Sequence, residues 1–419
     1  MIDRSQAPNI QSVSEIQFVE PERRELAPNL EMIAMTSVPN ETARFDLYFD
    51  AGKCRGDKSV ASLVNGLLLS GTESKTSVEI QESINSLGGF HESGMSTESA
   101  VFSIYCLREH LETLFNIVTD AIENVAFDPS EVEELLSDRT QKLQINQGKV
   151  NFLSQQAFRE VLFASNPRYA RPVELSDYEN VSIDELRNFH QRFYKNGLMR
   201  VVVVGDIQQS ALDRIAMRSL DLAAKEQPSF ETTITNTSGR VTVEKKDALQ
   251  SAVRLGRILF NKTHPDYLDF LVLNTVLGDY FGSRLMTNIR EDKGYTYGIG
   301  SALVELDQTG YFTIGTEVGS GVREDALEEI QFEIERIRTE LVPDDELERV
   351  RNYMMGQLLK SADGPYAMTD LYLSAHIHGQ SLDFYNDAIR SIQTITPERI
   401  RELAQRHLDW NDFSVVTAG

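Results

Sequence analysis

Few residues in this chain are of a type that moves protons, binds metals or attacks carbonyls, and their spacing decides what they could do. Seven histidines are present. His376 and His378, two apart, would point to different faces of a helix. They could share a metal only from an extended segment, and they read as surface or helix-end residues. His91 and Glu92 follow SINSLGGF; as neighbours on a strand they face opposite ways and cannot chelate one ion together. Neither Cys54 nor Cys106 sits in a nucleophile context, and no G-x-S-x-G occurs. Gly298-Ile299-Gly300 lacks the third glycine and the strand-to-helix setting of a dinucleotide loop. Arg290 and Tyr297, in NIREDKGYTYG, are hydrogen-bond donors suited to a carbonyl oxygen. Taken alone they read as a solvated arginine beside Glu291 and Asp292 and a packed tyrosine.

The elements that must position these residues occur twice. Pro129 and Pro343, Val181 and Ile395, and Gly205 and Gly419 are each 214 residues apart. Each pair sits in the same local grammar. A proline with acidic neighbours opens a long helix, in FDPSEVEELL and LVPDDELERV. A Ser or Thr then caps a second helix, in VSIDELRNFHQRFY and ITPERIRELAQRHL. A β-branched run, RVVVVGD or FSVVTAG, closes the unit as a buried strand. Upstream the match is looser: AVFSIYCL and GYFTIGTEV alternate as strands and lead into helices near residues 109 and 323. The pattern predicts two homologous α/β domains in an α+β fold, each a mixed, largely antiparallel sheet with helices packed on one face. The polar stretch around QPSFETTITNTSG supplies an extended linker. We place the domains at 1–222 and 243–419 and the linker at 223–242.

Composition narrows the function. A chain of 419 residues is too long for one ordinary core. A net charge of −23 argues against nucleic acid and against anionic membranes, both of which call for Lys and Arg. No apolar run approaches a membrane span. The opening MIDRSQAPNIQSVSEI has the pattern of neither a signal nor a transit peptide, and two cysteines make no disulfide framework. A cytoplasmic protein is expected.

Duplicated α/β halves of this size resemble the insulysin/pitrilysin group of zinc peptidases, which includes the mitochondrial processing peptidase subunits. The similarity covers ARFDLYFDAGK, the helix ending in Ser70-Gly71-Thr72, SINSLGGF and NPRYARPVELSDYENVSIDELRNFHQRFY in the first half. In the second half LGDYFGSRLMTNIREDKGYTYGIGSAL resembles the family's Arg-x-x-x-Gly-x-x-Tyr signature, with Arg290, Gly294 and Tyr297 on that spacing.

The resemblance implies an inverted zinc motif, H-x-x-E-H: two imidazoles on one helical face hold zinc and the glutamate activates its water. Counted back from Gly71-Thr72, the motif positions fall on Ser62, Asn65 and Gly66, none of which can take that role. The third ligand should come from the helix near 131–147. QKLQINQGKVN has no carboxylate there, Asp138 and Glu160 bracketing the gap. Arg290 and Tyr297 keep the donors that the resemblance aims at a substrate carbonyl. Gly278, Phe281, Gly282 and Ser283 form a turn that would contact substrate. The resemblance therefore implies a zinc-free, non-catalytic subunit, with no metal or other cofactor of its own. Its partners would be a zinc-bearing homologous peptidase subunit and an unfolded peptide. The alternatives are a structural or assembly protein of the same fold, and an active homodimer with an unorthodox metal site.

Overall fold

The structure, a computed structural model, describes residues 13–36, 40–225 and 233–419. The opening stretch MIDRSQAPNIQSVSEI lies mostly outside them. Two sheets organise the chain. The first has six strands in the order β1-β2-β6-β3-β5-β4: β1 Glu22–Ala27, β2 Leu30–Met35, β3 Thr42–Phe49, β4 Phe90–Met95, β5 Ala100–Leu107 and β6 Leu198–Val204. The second has five, β7-β11-β8-β10-β9: β7 Gly239–Val243, β8 Gln250–Leu259, β9 Thr296–Glu305, β10 Gly310–Gly319 and β11 Ser414–Ala418. Apart from β1 the two orders coincide. In each sheet the strand closing the half pairs in parallel with an opening strand, β2 with β6 and β7 with β11, and all other neighbours are antiparallel.

The helices that matter below are α1 Lys58–Gly66, α2 Leu111–Glu123, α3 Pro129–Gln147, α4 Val150–Leu162 and α5 Ile183–Phe193 in the first half. In the second half they are α6 Tyr267–Leu277, α7 Arg323–Thr339, α8 Asp344–Ser361, α9 Gly364–His376 and α10 Pro397–His407. The repeat shows in their bounds: α4 and α9, and α5 and α10, start and end 214 residues apart. Local chemistry sets the ends. Ser182 and Glu185 close a reciprocal capping box on α5, and Thr396 caps α10 just before Pro397. Gly205 and Gly419 both hold positive φ, 139° and 153°, at the exit of the closing strands, a conformation that favours glycine.

One face of each sheet carries helices of its own half. Phe45, Leu47, Phe102 and Ile104 pack against α1 and α2 in the first core; Leu255, Phe312 and Ile314 pack against α6, α7 and α10 in the second. The opposite faces depart from the expected one-sided arrangement. Each is covered by a helix from the other half. Leu373 of α9 packs on Ile33, Met35, Val202 and Val204, while Phe158 and Leu162 of α4 share a cluster with Ile258 and Val416. The cause lies in the closing strands: β6 and β11 are almost entirely buried, so both of their faces need cover. Gly256 permits the close approach, since a Cβ there would lie 2.8 Å from Phe158 Cζ.

The segment 223–242, read as a linker, falls partly on 226–232, outside the described residues. Its later part is held to the fold. Thr235 N donates to Ser165 Oγ at 3.0 Å, Asn236 Nδ2 donates to the Asp412 carbonyl at 2.9 Å, and β7 begins at Gly239. Among the described residues no helix is long and apolar enough to cross a membrane.

Candidate functional site

The helix expected to carry metal ligands is α1. Asp57 caps it by accepting from Ser59 N at 2.9 Å, and its buried side, Val60, Leu63 and Val64, belongs to the first core. Ser62 and Asn65 are half-buried and Gly66 is exposed. Asn65 Oδ1 accepts from the Tyr194 hydroxyl at 3.0 Å, so the amide already has a partner. Against the end of α1 lies α3. A Cβ placed on Gly66 would sit 2.9 Å from Leu135 Cδ2 and 3.4 Å from Arg139 Nη2. Leu135, Arg139 and Leu143 are four apart and share a helix face. Within 141–147 only Leu143 is buried. Where the third ligand was sought, α3 offers hydrocarbon and a guanidinium.

The second-half signature begins where α6 ends. Gly278 N donates to the Asn274 carbonyl at 2.8 Å, and a Cβ on Gly278 would lie 2.4 Å from Ser301 Oγ. Only glycine allows the turn to press on β9 there. Ser283, expected to touch substrate, is instead 1% exposed, and its carbonyl accepts from Thr287 N at 2.9 Å. Gly278 and Ser283 therefore build the turn rather than line a surface. The buried Arg284 anchors it through two bonds to Glu346 of α8, at 2.8 and 2.9 Å. Phe281 and Gly282 remain exposed.

Met286–Asp292 winds as a π-helix. Near its end the half-buried Arg290 places its guanidinium 4.5 Å from the centre of the Phe281 ring, a cation–π contact. Tyr297, near the start of β9, is 95% exposed and lines a cavity of about 600 Å³ with Asn151, Arg254, Thr296, Thr316 and Glu317. Arg290 does not line that cavity. Asn151 comes from α4, so both halves build this site. Arg254 escaped the sequence reading. Its one signal is a cation within the apolar run SAVRLGRIL; its Nη2 donates to Asn151 Oδ1 at 3.2 Å.

Sequence comparison agrees with this geometry. The model described as Insulinase (Peptidase family M16) matches residues 32–165, and the one described as Peptidase M16 inactive domain matches residues 180–354. The chain belongs to the insulinase family of peptidases. Its relatives in that family include the uncharacterized zinc protease YmxG of Bacillus subtilis, 23% identical over 373 residues, with 85% of this chain and 87% of that protein covered. An uncharacterized zinc protease of Rickettsia bellii is 24% identical over 309 residues, covering 72% and 74%. Among solved structures, the peptidase M16 inactive domain from Pseudomonas fluorescens has a TM-score of 0.88 at 20% identity, covering 96% of this chain and 98% of that one. A Helicobacter pylori protease has a TM-score of 0.85 at 14% identity, covering 96% and 100%. These likenesses show the two-sheet fold.

The zinc that the family implies does not fit the residues of this chain. The three motif positions offer a hydroxyl, a bonded amide and no side chain. A cation, Arg139, stands against the third, with its Nε buried and unpartnered. Guanidinium repels a divalent ion and has no lone pair to donate. Among the described residues no group of three His, Cys, Asp or Glu could hold a metal ion. The three histidines weighed from the sequence have separate partners. His376 Nε2 lies 3.0 Å from Glu31, His378 Nε2 lies 3.6 Å from Glu305, and His91 stacks on Phe102 with centroids 5.7 Å apart.

Proposed function

We propose that this chain is the zinc-free subunit of a two-chain zinc peptidase, closing a peptide-binding chamber over a zinc-bearing homologue. The observation that carries this reading is the state of α1. Its apolar side still packs the core, while its motif positions hold Ser62, Asn65 and Gly66, and Arg139 stands beside the last. The donors on the second half, by contrast, are free to act. Arg290 is half-buried against Phe281, and Tyr297 is open to a ligand. In this reading both donate to backbone carbonyls of an extended peptide. They fix its register against the partner's reacting groups and stabilise charge that develops on a carbonyl oxygen. Phe281 and Gly282 flank the same path. This chain binds and orients; bond cleavage belongs to the partner. We place the pair in the cytoplasm, where the free, buried Cys54 and Cys106 would remain reduced.

The test is to purify the chain alone and together with an H-x-x-E-H homologue from the same organism, then to measure mass and metal content. The expected result is a one-to-one complex whose zinc is contributed wholly by the homologue. Stoichiometric zinc on this chain alone, with peptide cleavage that a chelator abolishes, would overturn the reading. So would failure to associate with any such homologue.

A further inference from the structure

In a chain with 64 acidic and 41 basic residues, a cation without an ion-paired carboxylate is unexpected. Five such cations nevertheless run from the degenerate motif helix to the cavity under Tyr297. Arg139 stands 3.4 Å from the Cβ position of Gly66 and has a buried, unpartnered Nε. Lys53 feels the charges of both Arg139 and Arg159, and among the described residues its ammonium has no hydrogen-bond or ion-pair partner. Lys58 Nζ donates to the Tyr169 carbonyl at 3.0 Å; Arg159 Nε donates to the same carbonyl at 3.2 Å and its Nη2 to Thr97 Oγ1 at 3.4 Å. Tyr311 lies within electrostatic reach of both Arg159 and Arg254. Arg254 completes the row with the Asn151 amide as its hydrogen-bond partner. The nearby carboxylates are engaged elsewhere: Glu98 with the Tyr169 hydroxyl and Asp307 N, Asp57 with Arg171. Glu317 lines the cavity with Arg254 and acts on it electrostatically, but among the described residues the two form no ion pair.

Neutral carbonyls and amides hold these cations in place but do not cancel their charge. Burial first, and neighbouring cations second, pull Lys58 down to about 8 and lower Lys53 as well. Burial also lowers Arg159 and Arg254. Partly desolvated like charges are costly to assemble, and an incoming anion removes that cost. Guanidinium is suited to carboxylate through paired N–H donors. The row is drawn out along the molecule, which suits several carboxylates on an extended chain better than one small ion.

We infer that this row is a carboxylate track and that the peptide bound by this chain is acidic, its Asp and Glu side chains or C-terminal carboxylate seated between Arg139 and Arg254. The inference rests on the proposed function only in taking an extended peptide as the ligand. It is tested on the purified full chain by fluorescence anisotropy with three labelled peptides of equal length: one rich in Asp and Glu, its Asn/Gln counterpart, and one rich in Lys. The acidic peptide is expected to bind about tenfold or more tightly than the neutral one, with affinity falling as salt rises. Arg139→Gln and Arg254→Gln, made separately so that a folding defect in one leaves the other informative, are each expected to remove most of that preference. Arg108→Gln, an exposed arginine paired with Asp206, should leave it intact. Equal binding of all three peptides would overturn the acidic track while leaving a peptide-holding role standing. No binding of any peptide would overturn both. Tighter binding of tripolyphosphate than of the acidic peptide would also overturn it, assigning the row to phosphate.

Discussion

Arg44 and Arg254 lie on equivalent strands, β3 and β8, of the two halves. Each lies on the third strand of its shared sheet order, opposite a residue of the next strand, Tyr105 for Arg44 and Gly315 for Arg254. Each also meets a helix contributed by the other half. Their partners differ. Arg44 bonds Asp370 of α9 at 2.6 and 3.3 Å, lies 3.0 Å from Asp46, and has the Tyr105 and Tyr366 rings within 6 Å. Arg254 has the amide of Asn151 from α4, a glycine instead of a tyrosine beside it, and a cavity in front of it. The same scaffold thus holds one arginine as a completed joint and the other as an open one. A buried charge that the fold satisfies is structure; one that it leaves short is available to a ligand.

The comparison can be broken most strongly at the completed joint. Arg44→Met leaves Asp46 buried without its cation and should cost about 3 kcal/mol in urea unfolding. Arg254→Met should cost about 1 kcal/mol or less, because no carboxylate is stranded. Equal losses would erase the distinction. At the open site, Tyr297→Phe with Arg290→Ala should lower the partner's kcat/KM by about tenfold to a hundredfold, some 1.4–2.7 kcal/mol, with the complex still formed. Unchanged turnover would leave only an assembly role. A smaller effect sharpens the contrast. Asn151→Asp gives Arg254 the carboxylate that Arg44 already has, and should raise stability by about 1 kcal/mol while weakening acidic peptide binding. The smallest concerns α9 on the paired side. Burial works against ionised Glu31, yet His376, Arg200 and Arg23 outweigh it and hold its carboxyl well below the usual range. Its contribution is present above the ordinary carboxyl value and is lost as pH falls below it. Glu31→Gln should therefore lower stability by about 0.5 kcal/mol at pH 7, a gap that closes on acidification.

Much of this architecture could be read from spacing. The 214-residue repeat locates α3 with α8 and α5 with α10 because prolines and capping residues mark those helix starts locally. The strands before them drift off that offset: β5 and β10 start 210 residues apart, since loops between strands tolerate length changes that packed helices do not. What spacing could not show is which sheet a helix covers. The apolar side of α4 predicts burial, but not that Phe158 packs against Gly256 of the other half. β7 was hidden in apparent linker because GRVTV is a short, largely exposed edge strand with polar composition. The loss of ligand chemistry at Ser62, Asn65 and Gly66 was legible. The arrival of Arg139 at Gly66 was not, because it depends on how α3 crosses the end of α1. Ser283 looked like a contact residue and proved to be part of the turn's interior.

The central claim is that this chain contributes a surface and the homologue contributes the metal. Turnover of a quenched fluorescent peptide, measured for each chain alone and for their equimolar mixture with and without a zinc chelator, tests it most directly. The account predicts no cleavage by this chain at any concentration, and cleavage by the mixture well above that of the homologue alone, abolished by chelator. Chelator-sensitive cleavage by this chain alone, or a mixture no faster than the homologue, would contradict it.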